Sequence, residues 1–292
     1  MLMKILEKTI IFAAALLITA SAFTACGTVS DKNAAETTTA NTLALPEEDK
    51  KSTSADSLFT YTIYSSYAEV SGYTGDGETV NIPASIDGMP VMSIGKNAFE
   101  FNTAIKEVVL PATITNIANY AFRGCTSLET VNFPNGLVSI GNYAFHNSAL
   151  ASLTFPDTLT VLGKYCFAGT KITTLTMPKL IAKTNDYMFA NCESLTAFEL
   201  PECMTVIPNH MFYGCNSLTE VTVPDFITEI DDYAFSDCDN LTSITIPDTV
   251  VTLGEGVFVG SDNATVVTHE GSAAEKYALN YKIKVSAING GN

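Results

Sequence analysis

Apolar positions along this chain repeat with a period that no single helix or strand possesses. Pro111, Pro134, Pro156, Pro178, Pro201, Pro224 and Pro247 are separated by 23, 22, 22, 23, 23 and 23 residues, with Pro83 another 28 ahead. A second register keeps the same step: Phe99, Phe122, Phe145, Phe167, Phe189, Phe212, Phe235 and Phe258. Self-similarity at a fixed period of roughly 20–50 residues marks a stacked repeat. Inside one unit, Leu218, Val221 and Val223 are expected to point inward and Thr222 outward, the alternation of a short strand. Pro224 ends that strand because it brings no N–H to a ladder. The stretch after it is expected to bury Phe226 and Ile230. Tyr233, matched by Tyr120, Tyr143, Tyr165 and Tyr187, falls in the next turn, two residues before the recurring Phe.

A unit this short cannot bury its own apolar face, so coils must stack into one continuous core with strands pairing between neighbours. Each recurring Phe is expected to form a spine, packed on its equivalents in adjacent coils. At about 4.8 Å per coil the stack is on the order of 40 Å long. Its ends need protection against edge pairing. Phe59–Ile63 and Glu69–Tyr73 predict a hairpin or small sheet at the N-terminal end, within a cap spanning 57–94. The repeat decays after Phe258. Ala273–Ala278 predicts a short helix and Tyr281–Val285 a last strand, within a cap spanning 259–287.

The recurring motifs are specific. Ile94-Gly95-Lys96-Asn97-Ala98-Phe99 and Ile140-Gly141-Asn142-Tyr143-Ala144-Phe145 recur with Gly124-Cys125-Thr126-Ser127-Leu128 and a Val-x-x-Pro element. Together with the opening Ile82–Val91 and the closing Gly271–Ala278, they resemble the BspA-like leucine-rich-repeat family of bacterial surface proteins. The resemblance covers about residues 57–285. It implies a β-rich (α/β-type) leucine-rich-repeat solenoid of about eight stacked coils of 22–23 residues. It also implies surface display, and adhesion to host or bacterial surface proteins in some members, with no catalytic residues to carry over. Cys166 and Met188 stand where Ala usually precedes the Phe, and Lys183-Thr184 replaces Ile-Gly. These departures predict a locally irregular coil near 180–188.

The N-terminus changes the picture of where the chain works. Lys4 and Lys8 precede a nearly continuous apolar run, Ile10–Ala22, and then Phe23-Thr24-Ala25-Cys26. This reads as a secretory signal peptide over 1–25, too short for an ordinary membrane span. The small residues before Cys26 resemble a bacterial lipobox, which implies lipid attachment at Cys26; plain secretion and an uncleaved anchor are the alternatives. Residues 26–56 carry no apolar period and are expected to form a flexible tether. Residues 57–292 then form the solenoid. The expected location is extracytoplasmic, at the bacterial cell surface, with the membrane touched only through the lipid.

Charge excludes some partners. The chain has 31 acidic and 15 basic residues, a formal net charge of −16. Such a surface repels nucleic-acid phosphates and anionic headgroups, and no basic patch offsets it.

Of the seven cysteines, Cys125, Cys192, Cys215 and Cys238 share one repeat slot and are expected to be small buried packing groups. A coil-to-coil disulfide has the reach but poor geometry, and thiols in a line do not make a zinc tetrahedron. Cys203 lies in a variable segment and is expected to be partly exposed. Glu229, Asp231, Asp232, Asp237 and Asp239 form the densest acidic group without calcium-loop spacing. His146, His210 and His269 share no offset, and no nucleophile motif or phosphate-binding glycine loop is present. No metal, cofactor or enzymatic activity is expected.

The outward middle positions of the strands are Val109, Asn132, Thr154, Thr176, Glu199, Thr222 and Thr245. Beside them run Glu107, Thr130, Ser152, Thr174, Ala197, Glu220 and Ser243. This strip of small hydroxyls is the expected binding face, with Asn132, Thr154, Thr176, Glu199, Thr222 and Thr245 at its centre. The expected function is a non-catalytic, monomeric binding or adhesion module for an unidentified protein. Envelope carbohydrate binding, favoured if tyrosines stand exposed beside the threonines, and a purely structural surface role are the alternatives.

Overall fold

The computed structural model describes residues 52–55, 58–182 and 184–288. The expected signal segment, Cys26 and the tether up to residue 51 lie outside the described residues.

Each coil is three-sided. One side carries short parallel strands: Thr79–Asn81, Glu107–Val109 and Thr130–Val131; then Thr174–Thr176 and Ala197–Glu199; then Glu220–Thr222, Ser243–Thr245, Thr265–Thr268 and Lys284–Ala287. We call this the face. Its strands form three separate sheets in the order just given. The alternation expected around Val221 is present: Val221 and Val223 are buried and Thr222 is exposed.

The second side, the back, holds two-residue strands after the recurring prolines from Pro111 to Pro247, Pro178 excepted among the described residues. Asn116–Ile117, Ser139–Ile140 and Val161–Leu162 continue from Met89–Ile94, and Val206–Ile207, Glu229–Ile230 and Thr252–Leu253 form a later group. The break between the groups falls where Lys183-Thr184 replaces Ile-Gly, within the coil expected to be irregular. There Asn185 Nδ2 donates to the Leu162 carbonyl at 2.6 Å, a side chain standing in for a ladder amide. One sequence expectation is corrected on this side. Phe226 is only half-buried, and Ile227 fills the core instead at 0% exposure. The turn after Pro224, closed by Ile227 N–H to Pro224 C=O at 3.0 Å, shifts the inward position by one residue.

The third side is a continuous turn holding the Ala-Phe motif. Each coil places two residues in the left-handed region, four apart, such as Tyr165 (φ 55°) and Gly169 (φ 70°). At the first position a bulky side chain recurs: Tyr120, Tyr143, Tyr165, Tyr187, His210 and Tyr233 all have positive φ. An L-residue held there costs roughly 1–2 kcal/mol. Two features offset it. The amide bonds to the next coil, as from Tyr120 to Asn142 C=O at 2.9 Å and from Tyr233 to Glu255 C=O at 2.9 Å. The rings also stack into a ladder with centroid steps of 5.1, 4.6, 4.3, 4.1 and 4.9 Å.

Behind this ladder runs the phenylalanine spine. From Phe99 to Phe189 the rings stack at 4.8, 5.1, 5.3 and 5.9 Å, and they resume from Phe212 to Phe258 at 5.4 and 6.2 Å. At the step between Phe189 and Phe212 an extra ring enters: Phe198 lies on Phe212 at 4.2 Å. Burying each such ring contributes about 1.5–3 kcal/mol, and stacking adds to it.

Both ends are closed. Phe59–Ile63 and Ala68–Tyr73 form the expected hairpin, and Ala68–Tyr73 runs parallel to Met89–Ile94, continuing the back. Ser52–Ala55, inside the segment expected as tether, adds an antiparallel strand to this sheet. At the other end helix α1, Ala273–Asn280, is capped by Ser272, whose Oγ accepts the Glu275 N–H at 3.0 Å. Tyr277 Oη accepts the Val257 N–H at 2.8 Å and ties the helix to the last full coil.

Candidate functional site

The face presents the expected strip. Asn132, Thr154, Thr176, Glu199 and Thr222 are exposed, and Thr245 is half-buried. Their register across paired strands is direct: Thr176 opposes Glu199, and Thr222 opposes Thr245. Hydrogen bonds run from coil to coil along each column, with Thr176 Oγ1 donating to Glu199 Oε2 at 3.4 Å and Thr79 Oγ1 to Glu107 Oε2 at 3.3 Å.

Asn132 has a different job from its neighbours. Its Oδ1 accepts the Leu110 N–H at 2.6 Å, and its Nδ2 donates to the Leu110 carbonyl at 2.9 Å. The side chain thus holds both backbone polar groups of Leu110 on the preceding coil and keeps one N–H and one lone pair for other partners. Nothing in the repeat pattern signals this, because the two residues are 22 apart and meet only through the register of the stack.

The strip is shallow rather than pocketed. One depression of about 500 Å³ runs over Glu107–Val109 and Thr130–Asn132. A smaller one of about 170 Å³ is lined by Ala197, Phe198, Leu218, Glu220, Val221 and Thr222. The second lies where the face sheet is interrupted, between Ala197–Glu199 and Glu220–Thr222.

The cysteines sit inside, with a shared role. Cys125, Cys192, Cys215 and Cys238 are buried, and each thiol donates to the carbonyl of a spine Phe one coil back. The Sγ-to-O distances are 3.1 Å to Phe99, 3.4 Å to Phe167, 3.4 Å to Phe189 and 3.3 Å to Phe212. Ser261 fills the same slot and donates to Phe235 C=O at 2.7 Å. The slot therefore takes oxygen as well as sulfur, and Ser148, in the same position after Phe145, keeps a buried Oγ that makes no hydrogen bond among the described residues. Burial pushes the Cys125 and Cys238 thiols up to about 12 and Cys192 to about 11, so they stay protonated. None of the six described cysteines is in a disulfide, and Cys203 is half-exposed, as expected.

The titratable groups do not converge. His146 Nδ1 lies 3.1 Å from the Ala168 carbonyl, His269 Nδ1 lies 3.1 Å from Asp248, and His210 is held in the ring ladder. Within the dense acidic group, Asp232 Oδ1 accepts the Glu255 N–H at 2.7 Å and joins two coils. Among the described residues no three histidine, cysteine or acidic side chains group to hold a metal, and no helix is long and apolar enough to cross a membrane.

Comparison with known proteins agrees with this architecture. The chain has a 25% identical counterpart in a leucine-rich-repeat protein of Bacteroides ovatus, with a TM-score of 0.64 over 80% of this chain and 67% of that one. The T. pallidum leucine-rich-repeat protein shares the fold at 24% identity, with a TM-score of 0.52 over 80% of this chain and 97% of that one. A leucine-rich-repeat protein of Eubacterium ventriosum shares it at 17% identity, with a TM-score of 0.52 over 74% of this chain and 71% of that one. No curated protein matches the chain. Six copies of the pattern described as BspA type leucine-rich repeat region match residues 92–215 and 182–289. With two registers of repeat, a phenylalanine spine and an open strand face, the chain belongs to the BspA-type leucine-rich-repeat family.

Proposed function

We propose that this protein is a surface-displayed, non-catalytic binding or adhesion module that engages a protein partner through the strand face. The observation that carries the reading is the face itself. Thr130, Asn132, Ser152, Thr154, Thr174, Thr176, Ala197, Glu199, Glu220 and Thr222 stand exposed in two columns on a rigid stack. Small hydroxyl side chains lose little rotamer freedom on contact, which suits a broad interface of many weak polar bonds. Lipid attachment at Cys26 and a tether leading to the first coil would hold this face clear of the membrane.

The tyrosine ladder bears on the carbohydrate alternative. Its rings are stacked at 4.3–5.1 Å where tyrosine meets tyrosine, so they cover one another's faces and present edges to solvent. Sugar recognition by aromatic stacking needs an open ring face, and this ladder supplies few.

The test is binding of the purified protein to an array of host extracellular proteins, bacterial surface proteins, and host and bacterial glycans. A saturable protein hit is expected. A glycan-only hit moves the reading to carbohydrate binding, and silence across the array leaves a structural surface component.

A further inference from the structure

The face sheet opens between Ala197–Glu199 and Glu220–Thr222, beside a coil whose central inward residue is a Phe. Val108, Leu175, Val221, Ile244 and Val266 fill the central inward slot of their strands and are buried. Phe198 takes that slot in its own coil and lies on Phe212 at 4.2 Å, and both Phe198 and Leu200 are left half-buried. Coil-to-coil bonds such as Thr196 N–H to Thr173 C=O (2.8 Å) and Thr242 N–H to Thr219 C=O (2.9 Å) recur along the face. The corresponding bond from Thr219 to Thr196 is not made among the described residues, so the Thr196 carbonyl borders the opening as a free acceptor.

The charge around the opening has one sign. Residues 184–275 hold 16 acidic residues and neither Lys nor Arg. The other 15 acidic residues are balanced by all 15 basic ones, so the entire net charge of −16 resides in these coils. On the face itself, Glu220 lines the opening and exposed Glu199 stands on the strand across it. An apolar floor of Phe198, Leu218 and Val221 beneath carboxylates and a free carbonyl matches a side chain with an aliphatic stem and a cationic head.

We propose that this seam seats a lysine or arginine side chain of a cationic protein partner, so that the acidic coils select the partner by charge and the seam fixes its register. The proposal rests on the protein-binding reading and names the chemistry of the partner. The stem lies on Phe198 and the head reaches Glu220, while Glu199, whose Oε2 accepts from Thr176 Oγ1 on the preceding coil, adds negative charge beside the seam.

The test is titration calorimetry of the full chain with an acetylated, amidated tetralysine peptide at physiological ionic strength. The Glu199→Gln/Glu220→Gln pair is compared with Glu107→Gln/Glu129→Gln, which removes the same charge from the same face in the balanced half. All four carboxylates are exposed, so neither pair threatens folding. Saturable binding is expected, weakened about fivefold by the seam pair, as loss of two surface ion pairs predicts. The control pair is expected to change it less than twofold. Equal weakening by both pairs, or no saturable binding, overturns the proposal. A protein hit on the array that ignores the seam pair also removes the seam while leaving the binding reading intact. Tetralysine binding at the seam without any protein hit supports the seam and removes that reading.

Discussion

Replacing Gly169 by alanine separates backbone strain from side-chain crowding at the turn. Gly169 has φ +70°, and a Cβ placed on it would overlap Oδ1 of Asn147, the residue at the same turn position one coil earlier. The pairing repeats along the stack. Asn191 covers Gly214, Asp237 covers Gly260 and Phe101 covers Gly124, so every second coil is glycine where its predecessor is large. Holding alanine in the left-handed region costs roughly 1–2 kcal/mol. Pushing Asn147 off its rotamer costs about 0.5–1.5 kcal/mol more. Reduced freedom of the unfolded chain returns about 0.4–1 kcal/mol. The net expectation for Gly169→Ala is a loss of about 1–3 kcal/mol. Adding Asn147→Gly removes the obstruction but not the strained φ, so the double variant should recover about 0.5–1.5 kcal/mol relative to the sum of the singles. Urea unfolding followed by far-ultraviolet circular dichroism measures all four proteins. A single-variant cost below about 0.5 kcal/mol, or strict additivity in the cycle, would refute the alternation as the packing rule of this turn.

Other consequences follow from the same contacts. Phe145→Ala should cost about 3–5 kcal/mol, because Phe145 is fully buried and stacked on both sides, and calorimetry should show a lowered transition. Cys238→Ser should keep stability within about 1 kcal/mol, while Cys238→Ala removes one of two donors to the Phe212 carbonyl, the Cys215 N–H at 3.2 Å remaining, and costs about 0.5–1.5 kcal/mol. Under native conditions a thiol reagent should modify Cys203 before Cys125, Cys166, Cys192, Cys215 or Cys238, which react only on unfolding. Burial lowers the affinity of His146 and His210 for protons, although Asp186 and Asp232 act the other way on His210. Through these histidines the unfolded chain binds more protons below about pH 6.5, so their contribution to stability should fall as pH drops from 7 towards 5. Half-buried Glu69, whose carboxyl pKa is raised by burial, acts in the opposite sense. His210→Tyr, which restores the residue of the neighbouring ladder positions, should reduce that slope in pH-dependent thermal melts.

Much of this architecture was legible because its determinants are local and repeated. The Phe and Pro registers encode coil length, and the Leu-x-x-Val-x-Val alternation encodes which strand positions face out. The misplaced core position at Phe226 shows where local pattern fails. After Pro224 the chain turns instead of extending, so period-2 counting picks the wrong neighbour and Ile227 goes inside. Features that depend on the register between coils are invisible in one-dimensional pattern. Asn132 looks like any polar face residue until the stack brings it to the backbone N–H and C=O of Leu110. The recurring thiols read as small packing groups, and their work as donors emerges only from the spine carbonyl one coil back. Phe198 is a visible departure at its slot, yet where its ring lies, on Phe212 beside the interruption of the face sheet, is not legible from the pattern.

The central claim, that the strand face is the working surface, is tested most directly by the affinity of a protein hit for two charge-matched variants. Thr176→Lys/Glu199→Lys/Thr222→Lys alters the face. Glu202→Lys/Asp225→Lys makes the same change in net charge at exposed positions following the prolines. The face variant should lose at least about tenfold in affinity, some 1.4 kcal/mol, while the other stays within about twofold of the unaltered protein. The opposite ranking, or equal losses, would contradict the account and place recognition elsewhere on the solenoid.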